Sequence, residues 1–190
     1  MPNESPTPIV LWSRHVLGKQ CSPVKEFDGK LQELVDKLIL TCRYANGLGL
    51  AAPQIGEFVQ VAVINYPLET KPYPIINPVI DEIKSKGEQV DYEACLSLPT
   101  VARVNVRVRR CQELVFSYQD INGNRIESTA SGMLARVIAH ESDHLRGLFY
   151  IDRIGDLSRS LVLRSFKKYV ERLRPEPNPS GNAAGGRIAG

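Results

Sequence analysis

At 190 residues the chain has the length of one domain and can bury a substantial core. Hydrophobic residues make up 43% and charged residues 24%, an ordinary globular balance, and no apolar run approaches the roughly 20 residues that a membrane span needs. A net charge of +3 is too small to argue for DNA or any other nucleic acid as a partner.

The polar stretch Met1 to Pro8 carries Glu4 and reads as neither a signal peptide nor an Arg-rich transit peptide, so a cytoplasmic location is the expectation. Residues 29–45 place Leu31, Leu34, Val35, Leu38, Ile39 and Cys42 at helical spacing, with Asp28 as N-cap and Asn46-Gly47 as stop signal. Strands are expected at 59–65, 75–80, 101–108 and 113–118. The last leads through the turn Asp120-Ile121-Asn122-Gly123 into a returning strand at 125–130. Ser131 is expected to cap a helix that Gly147 stops. A last helix over 157–173 would carry Leu161, Phe166, Tyr169 and Leu173 on or near one face. From Pro175 the composition turns rich in Pro, Gly and Asn, as in a disordered tail, which leaves 1–174 as a single domain. Helix, several strands, helix, helix is the order of an α+β domain with antiparallel strands. The cysteines Cys21, Cys42, Cys95 and Cys111 are widely and irregularly spaced without a CxxC pair, unlike a disulfide framework.

The chemistry starts at His140-Glu141-Ser142-Asp143-His144, an HExxH sequence inside a predicted helix. Histidines four residues apart lie on one helical face and can reach one metal ion, while the glutamate between them is placed to take a proton from water at that metal. Two solvated or packed histidines would be the bland alternative. Against it, Met133 and Val137 share their side and Leu134, Ile138 and Leu145 extend the apolar surface, so polar nitrogens here need a partner. A catalytic site of this kind wants three protein ligands and one open position. Downstream, Asp152, Asp156 and Glu171 sit in no recognisable signature, which directs the search for the third ligand upstream.

Gly47-Leu48-Gly49-Leu50-Ala51-Ala52-Pro53-Gln54 resembles the GxGLAAPQ motif of peptide deformylases. Glu93-Ala94-Cys95-Leu96-Ser97 resembles their EGCLS motif, and His140–His144 their HExDH. Together the three span about residues 47–147 in the family's order. Asn77-Pro78, the Asp120–Gly123 turn and His144-Leu145-Arg146-Gly147 extend the likeness. The resemblance implies a deformylase-like α+β fold, with antiparallel sheets packed around a central HExxH helix. It implies removal of the N-formyl group from the formyl-methionine of nascent polypeptides, with release of formate.

By the same resemblance Cys95 is the third metal ligand beside His140 and His144, Glu141 the proton carrier, and Gln54 and the Leu96 N–H the oxyanion donors. Gly47, Leu48, Gly49, Met133 and Val137 would receive the substrate, whose extended main chain would pair with backbone near Gly49. Core packing accounts for Leu48, Met133 and Val137 as well. Glu93 and Asp143 would orient the ligands, with a plain surface charge as the competing account of Asp143. The implied cofactor is one divalent metal ion, Fe2+ first, with Zn2+, Ni2+ or Co2+ able to take the same ligands. In bacterial relatives the C-terminal helix can meet the ribosome, and Lys167, Lys168, Arg172 and Arg174 give the helix here a matching basic character, although a solvated face explains the same charges. The chain departs from the family pattern at Ala94, where glycine is usual, and after Pro99, so no substrate contact transfers to Arg103 or Arg107. The rival readings are an HExxH metalloendopeptidase, which would need a downstream ligand, and a non-catalytic or specialised homologue.

Overall fold

The computed structural model describes residues 5–174 apart from positions 69, 83, 102, 103 and 105. The stretch from Pro175, expected to be disordered, lies outside the described residues. After one helical turn, α1 (Arg14–Leu17), comes the expected first long helix, α2 (Gly29–Tyr44). The Asp28 carboxylate accepts from the Lys30 and Leu31 amides at 3.1 Å each, which satisfies donors that the first turn leaves open. At the other end Asn46 takes the left-handed conformation (φ 52°) and turns the chain out of the helix.

Five strands, β1 (Gly49–Ala51), β2 (Val61–Ile64), β3 (Tyr73–Ile80), β6 (Glu113–Gln119) and β7 (Arg125–Ser131), form one antiparallel sheet in the order β1-β2-β3-β6-β7. The remaining pair, β4 (Gln89–Glu93) and β5 (Val106–Arg110), makes a second sheet. The period of two sorts side chains between faces. Leu50, Val61, Val63 and Ile76 pack against Leu31, Val35, Leu38 and Cys42 of α2. Their neighbours Ala51, Ala62, Ile64 and Ile75 pack on the opposite side against α3 (Gly132–Leu145).

Every residue of α3 from Ala135 to Leu145 is buried. A helix enclosed on all sides has no solvated face, so each polar side chain on it must find a partner inside the protein. That requirement, imposed on Arg136, His140, Glu141, Asp143 and His144, shapes the site. Gly147 (φ 73°) turns the chain beyond α3, and a Cβ there would come within 2.6 Å of the Gly18 backbone.

Several expectations need correction. Ser131 holds the N-cap position of α3, but its side chain makes no capping hydrogen bond. The strand expected at 101–108 is β5, beginning at Val106; positions 102, 103 and 105 lie outside the described residues. The final helix, α4 (Asp156–Leu173), buries Val162, Ser165 and Phe166 and leaves Leu161 and Leu173 exposed. Its docking is set by Trp12, whose indole meets Phe166 and Phe149 edge-on at centroid distances of 6.0 and 6.4 Å.

Candidate active site

The first and second family-like segments meet over α3. Gly47–Gln54 supplies β1 and most of the 3-10 turn Ala52–Ile55, while Cys95 lies two residues beyond the end of β4. The thiol of Cys95 and ring nitrogens of His140 and His144 lie within 4.8 Å of one another, and all three residues are buried. Cys95 Sγ is 3.3 Å from His144 Nε2, and the two imidazoles stand edge to face at 4.7 Å. Among the described residues no downstream carboxylate joins this group.

The donor set suits a divalent metal. One thiolate and two imidazoles are three protein ligands, and a tetrahedral centre would keep one position open. His140 Nδ1 contacts Glu93 Oε2 at 3.0 Å, which fixes the ring with Nε2 available for ligation. Burial and the adjacent His140 push His144 well below the usual imidazole range, towards the neutral form a ligand needs. Burial also disfavours charge on His140, but hydrogen bonding to Cys95 and Glu93 outweighs it and raises the proton affinity of that ring. A cation at the site would compete with that proton.

Glu93 is held by more than His140. Its carboxylate accepts from Arg110 Nε (2.8 Å) and Nη2 (2.9 Å) and from Arg136 Nη1 (2.7 Å). Burial alone would raise its pKa, but the hydrogen bonds and charges of Arg110 and His140 win and hold it well below the carboxylate range. Asp143, 1% exposed, is not a surface charge: Arg110 reaches it from one side and Arg153 forms two contacts of 2.6 Å from another. Arg146 adds a third partner at 2.9 Å. Burial opposes its ionisation, yet Arg153 and Arg110 bring its pKa down to about 2. Arg110 therefore links the carboxylate behind His140 to the carboxylate beside His144.

Glu141 contrasts with both. It is buried, its Oε2 has no hydrogen-bond partner among the described residues, and burial pushes its pKa up to about 7. His140 pulls against that shift, Glu93 adds to it and Arg110 opposes it. Gly49 passes so close that a Cβ there would lie 2.6 Å from Glu141 Oε1.

Gln54 is fixed by its own turn: Oε1 accepts from the Ala51 amide at 2.8 Å, so Nε2 faces Ser97 Oγ at 3.2 Å and Cys95 Sγ at 3.6 Å. Leu96, next to Cys95, lines the same space, and its backbone N–H has no backbone acceptor among the described residues. A cavity of about 640 Å³ opens over these groups. Gly47, Leu48, Gly49, Met133 and Val137 all line it, as do Gln54, Cys95, Leu96, His140 and Glu141; His144 lies behind, on the ligand side. Exposed Ala94 also lines it.

Reading the sequence missed Arg110 and Arg136. A signal existed: period-two alternation along Val106-Arg107-Val108-Arg109-Arg110 puts Arg110 on the buried side with both valines, and Arg136 lies one helical turn before His140.

A buried HExxH helix, an upstream cysteine and a glutamate whose Oε2 has no hydrogen-bond partner among the described residues suit a metal-dependent hydrolase. The family model for polypeptide deformylase matches residues 6–160, and the chain belongs to that family. A peptide deformylase of Dictyoglomus thermophilum is 43% identical over 138 residues, covering 73% of this chain and 86% of that protein. One from Mesorhizobium japonicum is 34% identical over 171 residues, 88% of this chain and 95% of that protein. The crystal structure of a peptide deformylase from Legionella pneumophila matches with a TM-score of 0.81 at 32% identity, covering 90% of this chain and 100% of that one. The Synechococcus elongatus enzyme in complex with actinonin matches with a TM-score of 0.78 at 33% identity, covering 91% and 92%.

Proposed function

We propose that this chain removes the N-formyl group from the formyl-methionine of nascent polypeptides, with Cys95, His140 and His144 holding the metal and Glu141 carrying the proton. The observation that supports this reading best is the convergence of those ligand atoms within 4.8 Å beside Glu141, whose Oε2 has no hydrogen-bond partner among the described residues. Ferrous iron is the proposed resident ion, with Zn2+, Ni2+ or Co2+ able to occupy the same donors. When bound, the metal supplies a Lewis acid that polarises the formyl carbonyl and activates water.

The side chains do the rest. As water forms the new C–O bond at the formyl carbon, Glu141 accepts its proton; as the C–N bond breaks, Glu141 passes that proton to the leaving amine. Formate and a free amino terminus result. A pKa raised to about 7 suits a group that must both take and give a proton near neutrality. Gln54 Nε2 and the Leu96 N–H supply donors for the oxyanion, and the Ala51–Gln54 contact holds the amide in the required orientation before substrate arrives.

Leu48, Met133 and Val137 give the methionine side chain an apolar wall. Among the described residues β1 pairs only with β2, which leaves its other edge open. In antiparallel pairing, successive residues direct their backbone groups to opposite edges, and the Asn65 amide donates to the Leu48 carbonyl on the β2 side. Gly49 thus turns its N–H and C=O to the open edge, where an extended peptide can add as a strand. Ala94, where the family motif has glycine, adds a methyl group to the lining of the cavity.

Among the described residues no helix is long and apolar enough to cross a membrane. A cytoplasmic location beside the ribosome fits the reading, and exposed Lys167, Lys168, Arg172 and Arg174 on and just after α4 offer a basic strip to such an RNA-rich partner. The test of the reaction is formate release from a formyl-Met peptide by metal-loaded protein, next to cleavage of an unformylated peptide at internal bonds. Chelator-sensitive formate release without internal cleavage is expected. Internal cleavage without formate would establish the endopeptidase instead.

A further inference from the structure

One cluster beside the site has no part in the chemistry just described. The Gly47 carbonyl accepts two hydrogen bonds, from Asn65 Nδ2 at 2.8 Å and from the Cys42 thiol at 3.3 Å. Asn65 is 5% exposed and Cys42 0%, so both contacts are dry. The backbone repeats the pattern: the Asn65 N–H donates to the Leu48 carbonyl (2.8 Å) and the Gly47 N–H to the Cys42 carbonyl (2.8 Å). Asn65 lies just beyond β2 and Cys42 in the last turn of α2, so two separate elements grip the two residues that lead into β1.

We infer that Asn65, assisted by Cys42, is a positioning residue that fixes the substrate-binding edge of β1. The inference rests on the deformylase reading above. On one flank of Gly49 the Ala51 N–H is taken by Gln54 Oε1. On the other, the Gly47 and Leu48 carbonyls are taken by Asn65 and Cys42. Gly49 is left between two anchored points as the place where a peptide can pair, and its position against Glu141 allows little drift. An Asn at position 65 suits the task because one residue supplies two donors, a main-chain N–H for Leu48 and a side-chain amide for Gly47. Without the side-chain donor the Gly47 carbonyl keeps, among the described residues, only a weak S–H partner, and the segment 47–48 gains freedom that a bound peptide must then remove.

This predicts a binding effect rather than a chemical one. In metal-quantified Asn65→Ala, KM for a formyl-Met tripeptide should rise about tenfold, the cost of roughly one buried hydrogen bond, with kcat per bound metal within about twofold. Cys42→Ala should raise KM by a smaller factor, and Cys42→Ser, which keeps a donor facing the Gly47 carbonyl, should return it towards wild type. Should Asn65→Ala fail to fold, the Cys42→Ala and Cys42→Ser pair carries the test alone. Unchanged KM in the folded variants, with only a lower melting temperature or less metal bound, would overturn the inference and leave the cluster a structural one. A wild-type protein that binds metal but releases no formate would instead overturn the underlying deformylase reading.

Discussion

Replacing Glu93 with Gln isolates the charge that organises the buried network. The side chain keeps its size, but a carboxylate that now meets Arg110, Arg136 and His140 becomes neutral. Glu93, Arg110 and Arg136 have side-chain exposures of only 4%, 3% and 3%, so water cannot replace the lost charge. Removing one partner of such a buried pair costs about 3–5 kcal/mol. The lower end applies here, because Arg110 keeps Asp143 and Arg136 keeps the Val108 carbonyl at 3.0 Å. A loss of about 3 kcal/mol in urea unfolding of the metal-free protein is therefore expected, with metal affinity about tenfold weaker because His140 loses its anionic partner. The control is Glu88→Gln: Glu88 also pairs with an arginine, Arg109 at 2.8 Å, but at exposures of 50% and 71%. That substitution should cost less than about 1 kcal/mol. If Glu93→Gln proved as mild as Glu88→Gln in both stability and metal affinity, the argument that this carboxylate orients the ligand sphere would fail.

Three further outcomes are expected. Gln54→Glu keeps the acceptor for the Ala51 amide but replaces the Nε2 donor with an anion, so kcat should fall by at least about a hundredfold with metal content unchanged; retained turnover would remove Gln54 from oxyanion binding. Gly49→Ala would set a methyl 2.6 Å from Glu141 Oε1 and 2.8 Å from its Cγ, displacing the proton carrier; about a hundredfold loss of kcat is expected, and near-normal turnover would show that Glu141 tolerates the shift. Burial raises the Cys21 and Cys42 thiols from 9.0 to about 11 and about 12. Because the folded state holds these protons more tightly than the unfolded chain, their stabilisation is complete below pH 9 and lost as pH rises towards 11–12. The melting temperature should fall over that window, and more shallowly in a Cys21→Ala/Cys42→Ala variant; equal slopes would contradict the assignment.

Much of this was legible in the residues themselves. The α2 boundaries followed from Asp28 and Asn46, and the HExxH spacing identified the helix that carries the site. Cys95 was another matter: spacing pointed only upstream, and the likeness of Glu93–Ser97 to a family motif singled it out. β4 escaped notice because Val90, Asp91 and Tyr92 are all exposed; the segment is a strand through its pairing with β5, not through an apolar face. On α4 the expected face kept Phe166 but lost its leucines: packing selected Val162 and Ser165 beside Phe166 and left Leu161 and Leu173 in water. Arg110 and Arg136 were overlooked because arginine ordinarily reads as surface. Their burial follows from a tertiary fact: α3 is enclosed on all sides and carries ionised groups that need counter-charges.

The most direct test of the central claim compares formate release and bound metal in wild type, Glu141→Ala and Cys95→Ala. The account predicts metal-dependent formate release by the wild type, metal retained without turnover in Glu141→Ala, and metal and turnover lost together in Cys95→Ala. Full activity in Glu141→Ala, or a normal metal complement in Cys95→Ala, would contradict it.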